Sequence, residues 1–485
     1  MELSKEICIR AMRSKDARFD GKFFTGVYST GIYCRPICPA PTPKLKNIQF
    51  FPSAAAASDA GLRPCLRCKP EVALGIDSST APGLISKTLK LIFDNFPHEI
   101  KIDDLARQLQ ISNRHLNRIF QQHLGTTPFS IWNTQKNHFA KRLIDETSLS
   151  MSEIAFSAGF NSIRSFNHSF KKCYQKSPTE LRKNKKSINR DQWVTLHLSY
   201  REPFNWMALL DFLKLRAIPG VESVLDNGYQ RVIRIGEDTG MIWVSIVNSK
   251  KSKPVFQVKI AFPDNRKLYF ICEKVKKIFN LEAPADEIDL FLKKDKILKP
   301  SIQQNAGIRV PGCWDSFELC IRAILGQQIS VKGATTISGR IVEKYGRKYE
   351  GAAINNKQEN WFEFPNASTL KDANYDGIGL TKSRIGTLKS FASAVHQKEI
   401  DFNDNIDSEI MVNKLKKIKG IGDWTAQYIA MRALNDPNAF PASDLGLIKA
   451  VSSPEEKVKP KDLLTLSQKW FPWRATAAMY LWRIH

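Results

Sequence analysis

The stretch LKKIKGIGDWTAQYIAMRAL, residues 415–434, sets Gly420 and Gly422 between two runs of helical spacing. Glycine tolerates the backbone angles of a sharp turn, so the pattern predicts a tight hairpin between two helices. The backbone N–H groups of such a hairpin face outward and can hold phosphate without reading sequence. About twenty residues later, FPASDLGLIKAV (440–451) puts Asp444 just before an apolar helical start. A lone Asp at such a place reads most simply as an N-cap. The preceding hairpin, and its spacing from Asp444, give weight to a catalytic carboxylate as well.

Around this stretch the chain runs to 485 residues, which at roughly 100–200 residues per domain implies three or four domains. Apolar residues make up 42%, enough for sizeable cores. No apolar run reaches the ~20 residues of a membrane span. The first residues, MELSKEICIRAMRSKD, lack the apolar core of a signal peptide, so a cytoplasmic protein with no membrane partner is expected. Of the net charge of +25, residues 1–78 carry +5 and residues 79–190 carry +10. That concentration of basic charge suits a polyanion-binding module, although a merely soluble basic surface has the same composition.

Composition shifts divide the chain into residues 1–78, 79–190, 191–304 and 305–485. GIDSSTAPG (75–83) reads as a linker, and LRKNKKSINRDQW (181–193) as a charged connector. From WVTLHLSY onward the alternation predicts half-buried strands, continued in RVIRIG, GMIWVSIV and PVFQVKIAF. Near NAGIRVPGCWDSFE (305–318) the pattern turns helical and stays so. The predicted fold is multidomain and mainly α with α+β parts. The family resemblances given below imply its content: a small zinc α/β domain, paired helix-turn-helix units, an antiparallel sheet with helices, and an all-helical domain.

Nine cysteines without a secretory context argue for thiols or metal ligands. Cys34, Cys38, Cys65 and Cys68 form two close pairs, in TGIYCRPICPAP and RPCLRC, a spacing suited to a tetrahedral zinc site. Free buried thiols are the plain alternative, and most such zinc sites are purely structural. In residues 84–182, Leu105, Ala106 and Leu109 mark a first helix, with a turn near Ile111–Ser112. Arg114, His115, Asn117 and Arg118 then lie on a second helix. The unit recurs with Ile154, Ala155 and Ala158, a turn at Gly159, and Ser165, Asn167, His168 and Lys171 on the following helix. These are helix-turn-helix spacings, for which a generic basic bundle is the plain alternative.

Three resemblances rest on these residues. FTGVYSTGIYCRPICPAP...GLRPCLRCKP resembles the N-terminal domain of the Ada alkylation-response family. That resemblance implies one zinc ion on the four cysteines and Cys34 as acceptor of a methyl group from a DNA phosphotriester. Thr30 and Arg63 match positions near the phosphate, whereas Pro41 stands where the best-known sequence of that family has arginine. A four-thiolate zinc site is formally −2, so its sulfurs stay nucleophilic, and methylation would ease approach to DNA phosphates. The paired helical units, closed by GTTPFSIW and YQKSPTELRK, resemble the DNA-binding domain of AraC-type regulators. An activator of this kind would meet RNA polymerase as well as promoter DNA.

From about Trp193 to His485 the chain resembles the AlkA family of 3-methyladenine DNA glycosylases, within the helix-hairpin-helix superfamily. By position Asp444 is the catalytic aspartate, and Phe212, Trp424, Tyr428 and Trp482 form an aromatic wall for a flipped base. Gly420 and Gly422 hold DNA. Gln328, in GQQIS, is the wedge, standing where the family carries leucine. A monovalent cation on the carbonyls of residues 416–421 is also implied. Trp424 stands where strand-cutting relatives place a Schiff-base lysine, so a monofunctional enzyme acting on alkylated double-stranded DNA is expected. No cysteine follows Cys320, which excludes the iron–sulfur loop of endonuclease III relatives, and Cys313 and Cys320 read as buried helix residues. The alkylguanine-transferring PCHR motif is absent. Two alternatives stay open: a regulator with a silent glycosylase-like domain, and a glycosylase whose front half only targets DNA.

Overall fold

The computed structural model describes residues 3–73, 83–98, 101–182, 192–225, 227–249, 252–354, 360–402, 407–453 and 457–484. Most of the expected linker at 75–83 and connector at 181–193 lies outside the described residues. The chain forms two compact units. One comprises Met1–Ser199 with Asp264–Glu273, the other Tyr200–Pro263 with Lys274–His485. No described helix is long and apolar enough to cross a membrane.

In the first unit, four short strands lie in the order Ile48–Phe51, Phe24–Val27, Ile32–Cys34, Arg63–Pro64. The first two pairings are antiparallel and the last is parallel. Helix Ala54–Asp59 covers the sheet through a core of Phe24, Tyr33, Phe51, Ala56, Ala57 and Leu62. Gly26 permits this closeness, since a Cβ there would stand 2.4 Å from Leu62 and 2.5 Å from Phe51.

The helical part of that unit is organised by helix Pro128–Glu146, capped by Thr127 and opened by proline, whose missing N–H costs nothing there. Helices Ile102–Gln108 and Asn113–Leu124 form one helix-turn-helix, and Met151–Ser157 and Ile163–Tyr174 the other. Ser150 and Glu153 form a reciprocal capping box at the start of the third of these. The left-handed turn residue is Gln110 in the first unit (φ 56°), one position before the predicted turn, and Gly159 in the second (φ 79°).

The zinc-type module packs directly on this helical pair. The Tyr33 hydroxyl lies 2.9 Å from His138 Nε2, both buried. Burial pushes the His138 pKa down to about 4, so the ring is neutral at pH 7 and Nε2 can accept. Asp59 accepts from the hydroxyls of Thr126 at 2.5 Å and Ser130 at 2.6 Å, beside the positive end of the central helix. Lys141 meets Asp145 at 2.6 Å and Glu71 at 3.7 Å. Asp59→Ala strands two hydroxyls and is expected to cost about 1–3 kcal/mol. The check is the urea midpoint of the first unit, which would stay put if Asp59 were not a tie.

In the second unit, strands Ser252–Ala261, Asp238–Ser249, Gly228–Ile235 and Glu222–Leu225 are antiparallel neighbours in that order. Helices begin earlier than the pattern change at 305–318 suggested: Trp206–Lys214 precedes the sheet, and Ala285–Leu292 and Lys299–Gln304 follow it. A two-stranded ribbon, Lys348–Tyr349 with Trp361–Phe362, interrupts the helical part. The sheet is pinned to helix Ser316–Leu325 by a buried ion network. In it Arg231 reaches Glu318 at 2.7 Å, and Arg322 reaches Glu222 at 2.7 Å and Glu318 at 3.3 Å. Removing one member of such a set strands a buried charge.

Candidate functional site

The hairpin is present. Helix Ser408–Lys416 leads into it and helix Asp423–Ala433 leaves it. Gly420 has φ 94°, and a Cβ there would lie 2.0 Å from Thr387 Oγ1. Gln327 ties the GQQIS loop to this hairpin, its Nε2 donating to Gly420 O at 2.8 Å and Thr425 Oγ1 at 2.9 Å. The Arg384 guanidinium holds the Gln327 carbonyl. Gln328 is left exposed, with a left-handed φ of 55° that side chains adopt reluctantly.

Asp444 is both an N-cap and the centre of a site. Its Oδ1 accepts from Leu447 N at 3.0 Å, capping helix Leu445–Val451. The same oxygen accepts from Trp482 Nε1 at 2.9 Å, and Oδ2 accepts from Trp424 Nε1 at 2.9 Å. Two carboxylate oxygens offer about four acceptor positions. Three N–H donors therefore fix the group and leave one position, on Oδ2, for a further partner.

Trp424 and Tyr428, four residues apart on one helix, stack with ring centroids 5.4 Å apart and planes 7° off parallel. Tyr428 and Trp482 meet edge to face at 6.4 Å. Trp424, Tyr428, Trp482, Asp444, Gln328, Gly420 and Gly422 all line one cavity of about 990 Å³. Phe212 lines a smaller adjoining hollow, and the Arg216 guanidinium sits over its ring at 3.8 Å.

Arg432 escaped the sequence reading. Its Nη1 donates to the Tyr428 hydroxyl at 2.8 Å, while Nε and Nη2 donate to the carbonyls of Pro311 (2.7 Å) and Gly312 (3.0 Å). Burial raises the Tyr428 pKa, but the Arg432 and Arg216 charges overcome it and the net shift is downward. The available signal was a cation one turn beyond Tyr428 on a helix with a buried face. Arg432→Lys keeps the charge and loses the fork. A stability loss of about 1–3 kcal/mol is expected, and an unchanged denaturation midpoint would refute the tie.

In the first unit the sheet brings the four cysteines together. Cys34 ends its strand, and Cys65 N donates to the neighbouring Tyr33 O at 3.0 Å. The four sulfurs all lie within 4.8 Å of one another. Four sulfurs this close repel one another as thiolates, and a dication at their centre removes that repulsion. The donor set therefore fits zinc. Cys65 and Cys68 are buried, while Cys34 and Cys38 are partly exposed.

Arg35, which the sequence reading passed over, is buried. Its Nε donates to Asp20 at 2.8 Å, and its backbone N lies 3.4 Å from Cys68 Sγ. Thr30 is exposed and Arg63 half-buried, and Arg63 N donates to Gly31 O at 2.9 Å, so both flank the Cys34 strand. On the second helices Arg114, Arg118, Ser165, Asn167, His168 and Lys171 are exposed, with His115 and Asn117 half-buried. Cys320 is buried in its helix, but Cys313 sits in the preceding loop, a departure from the helical expectation.

Three family models match: the metal binding domain of Ada over residues 7–71, a helix-turn-helix domain over 105–184, and the AlkA N-terminal domain over 195–315. A probable bifunctional transcriptional activator/DNA repair enzyme AlkA of Mycobacterium tuberculosis is 33% identical over 486 residues, covering 98% of this chain and 96% of that protein. DNA-3-methyladenine glycosylase 2 of Escherichia coli is 26% identical over 297 residues, or 59% of this chain and 95% of its own. Among solved structures, a 3-methyladenine DNA-glycosylase from Archaeoglobus fulgidus matches with TM-score 0.51 and 23% identity, over 60% of this chain and 97% of that one. That last likeness speaks for the fold.

Proposed function

The chain belongs to the family of bifunctional transcriptional activator/DNA repair enzymes that join Ada-type and AlkA-type parts, and from that premise we propose how each part acts. The second unit hydrolyses the N-glycosidic bond of alkylated bases such as 3-methyladenine. One observation carries this reading: Asp444, held by the indoles of Trp424 and Trp482, stands in an aromatic cavity beside the hairpin.

Gly420 and Gly422 hold the DNA backbone while Gln328 fills the gap left by the extruded base, an extrusion that costs a few kcal/mol. Trp424, Tyr428 and Trp482 offer electron-rich faces to a cationic base. As the glycosidic bond lengthens, the open position on Asp444 Oδ2 faces the sugar cation and then takes a proton from the attacking water. Trp424, where a lysine would form a Schiff base, supports base removal without strand cleavage.

In the first unit, Cys34, Cys38, Cys65 and Cys68 would hold zinc, which would keep their sulfurs as thiolates at neutral pH. Cys34 Sγ attacks the methyl carbon of a DNA phosphotriester; an S–C bond forms, the C–O bond breaks, and a phosphodiester leaves. Thr30 and Arg63 are placed to meet that phosphate. Each methyl taken up removes one negative charge near DNA, so damage strengthens promoter binding by the paired helix-turn-helix units. Arg114, His115, Asn117 and Arg118, with Ser165, Asn167, His168 and Lys171, make the contacts to base edges or backbone. Cytoplasmic action with RNA polymerase as partner completes this reading. So does a monovalent cation at the hairpin, where the Ile418 and Gly420 carbonyls each accept one hydrogen bond and keep one lone pair.

The test is to incubate the full chain with methylated duplex DNA and follow released bases and protein mass. Released 3-methyladenine together with a methylated protein supports both parts. Release of no base removes the glycosylase reading.

A further inference from the structure

The cavity that holds Asp444 also carries a guanidinium that makes no ion pair among the described residues. Arg216 lines it, as does Arg322. Arg322 is neutralised by Glu222 at 2.7 Å and Glu318 at 3.3 Å, and its other arm holds the Arg216 carbonyl. For Arg216, no carboxylate among the described residues stands within ion-pair distance. Its contacts are the Phe212 carbonyl at 3.3 Å, the Phe212 ring at 3.8 Å and the Tyr428 hydroxyl. The main chain of Arg216 is thus clamped while its charge is left to the cavity.

A pocket built only for cationic bases gains nothing from this arrangement, because an unpaired guanidinium repels a cationic ligand. Neutral damaged purines set a different problem. When the C1′–N bond of a cationic alkylpurine breaks, the electron pair leaves on a base that becomes neutral. When the same bond of a neutral purine breaks, the base departs as an anion, which needs stabilisation.

We propose that Arg216 is a second catalytic residue of this site, donating a hydrogen bond to the departing base so that neutral damaged purines bearing an acceptor edge can leave. The step balances with one water. The C1′–N electron pair goes to the base, which Arg216 holds as an anion. The water oxygen bonds to C1′ and gives a proton to Asp444, and that proton passes through solvent to the base. Asp444 faces the sugar cation and Arg216 the base anion, one at each end of the breaking bond.

The proposal rests on the glycosylase reading of Asp444. Its test uses the full chain in single-turnover release of hypoxanthine, a neutral lesion, and 7-methylguanine, a cationic one, from matched duplexes. Arg216→Gln should cut hypoxanthine release by roughly 100-fold, the scale of losing one preorganised donor. It should affect 7-methylguanine far less, so that the ratio of the two rates moves by at least about tenfold. Arg216→Lys, which restores a charged donor, should recover part of that ratio. An equal fall on both substrates would assign Arg216 a merely structural role under Phe212 and Tyr428 and overturn the proposal. A parent that releases 7-methylguanine but not hypoxanthine overturns it too, with the glycosylase reading intact. A parent that releases neither removes that reading and the proposal together.

Discussion

Asp444→Asn is expected to lower release of 3-methyladenine by about a thousandfold while leaving the chain folded. The substitution keeps the shape of the side chain, and asparagine caps helices as well as aspartate does, so the bond from Leu447 N survives. What disappears is the charge. A carboxylate about 4 Å from a developing sugar cation, at an effective dielectric near 20, contributes about 4 kcal/mol, which is about three powers of ten in rate. Because Leu447 N and the Trp482 indole share Oδ1, the amide N–H₂ then takes the place of Oδ2 and the Trp424 indole loses its acceptor. That should lower the melting temperature of the second unit modestly, within the about 1–3 kcal/mol cost of one unmet donor. A variant that kept more than a tenth of the parental rate would show that Asp444 is only a cap.

That double role shows where sequence reading stops. The cap was legible because it is local: an Asp directly before an apolar helical start needs no distant information. The clamp was not, since Trp482 lies 38 positions away and only the fold brings its N–H to Oδ1. The aromatic pair on one helix, Trp424 and Tyr428, follows from their i, i+4 spacing. Arg432 shares that spacing, but its partners Pro311 and Gly312 come from a loop more than a hundred positions upstream. Short elements were lost for another reason. Strand Glu222–Leu225 spans four residues, too few for alternation to register, and is held by pairing with Gly228–Ile235. In the front unit the cysteine spacing was legible as a zinc set. The seating of that module on the central helix was not, because Tyr33 and His138 are 105 positions apart.

The seating bears on the second large effect, that of Cys34→Ser on methyl uptake. The parent, mixed with DNA carrying methyl phosphotriesters, should gain one methyl, and peptide mass mapping should place it on Cys34. Cys34→Ser should gain none, because a serine hydroxyl is far less ionised and less nucleophilic than a thiolate at neutral pH. Cys34 is partly exposed, as is Cys38, while Cys65 and Cys68 are buried, so DNA has a path to the Cys34 sulfur. Loss of one ligand weakens zinc binding, and so small a module has little core of its own to compensate. The ties through Asp59, Lys141 and Tyr33 to the helical pair should nevertheless hold it in place. Circular dichroism of the variant should therefore stay close to that of the parent. In the parent, uptake also removes one negative charge from the surface that meets phosphate, so binding to promoter DNA should tighten by a factor of about five to ten, an energy of about 1 kcal/mol. A methyl mapped to Cys38, Cys65 or Cys68 would reassign the acceptor. Promoter affinity unchanged by methylation would leave the front half a targeting module with no switch, since charge is the only property that the added methyl alters enough for phosphate to sense at a distance.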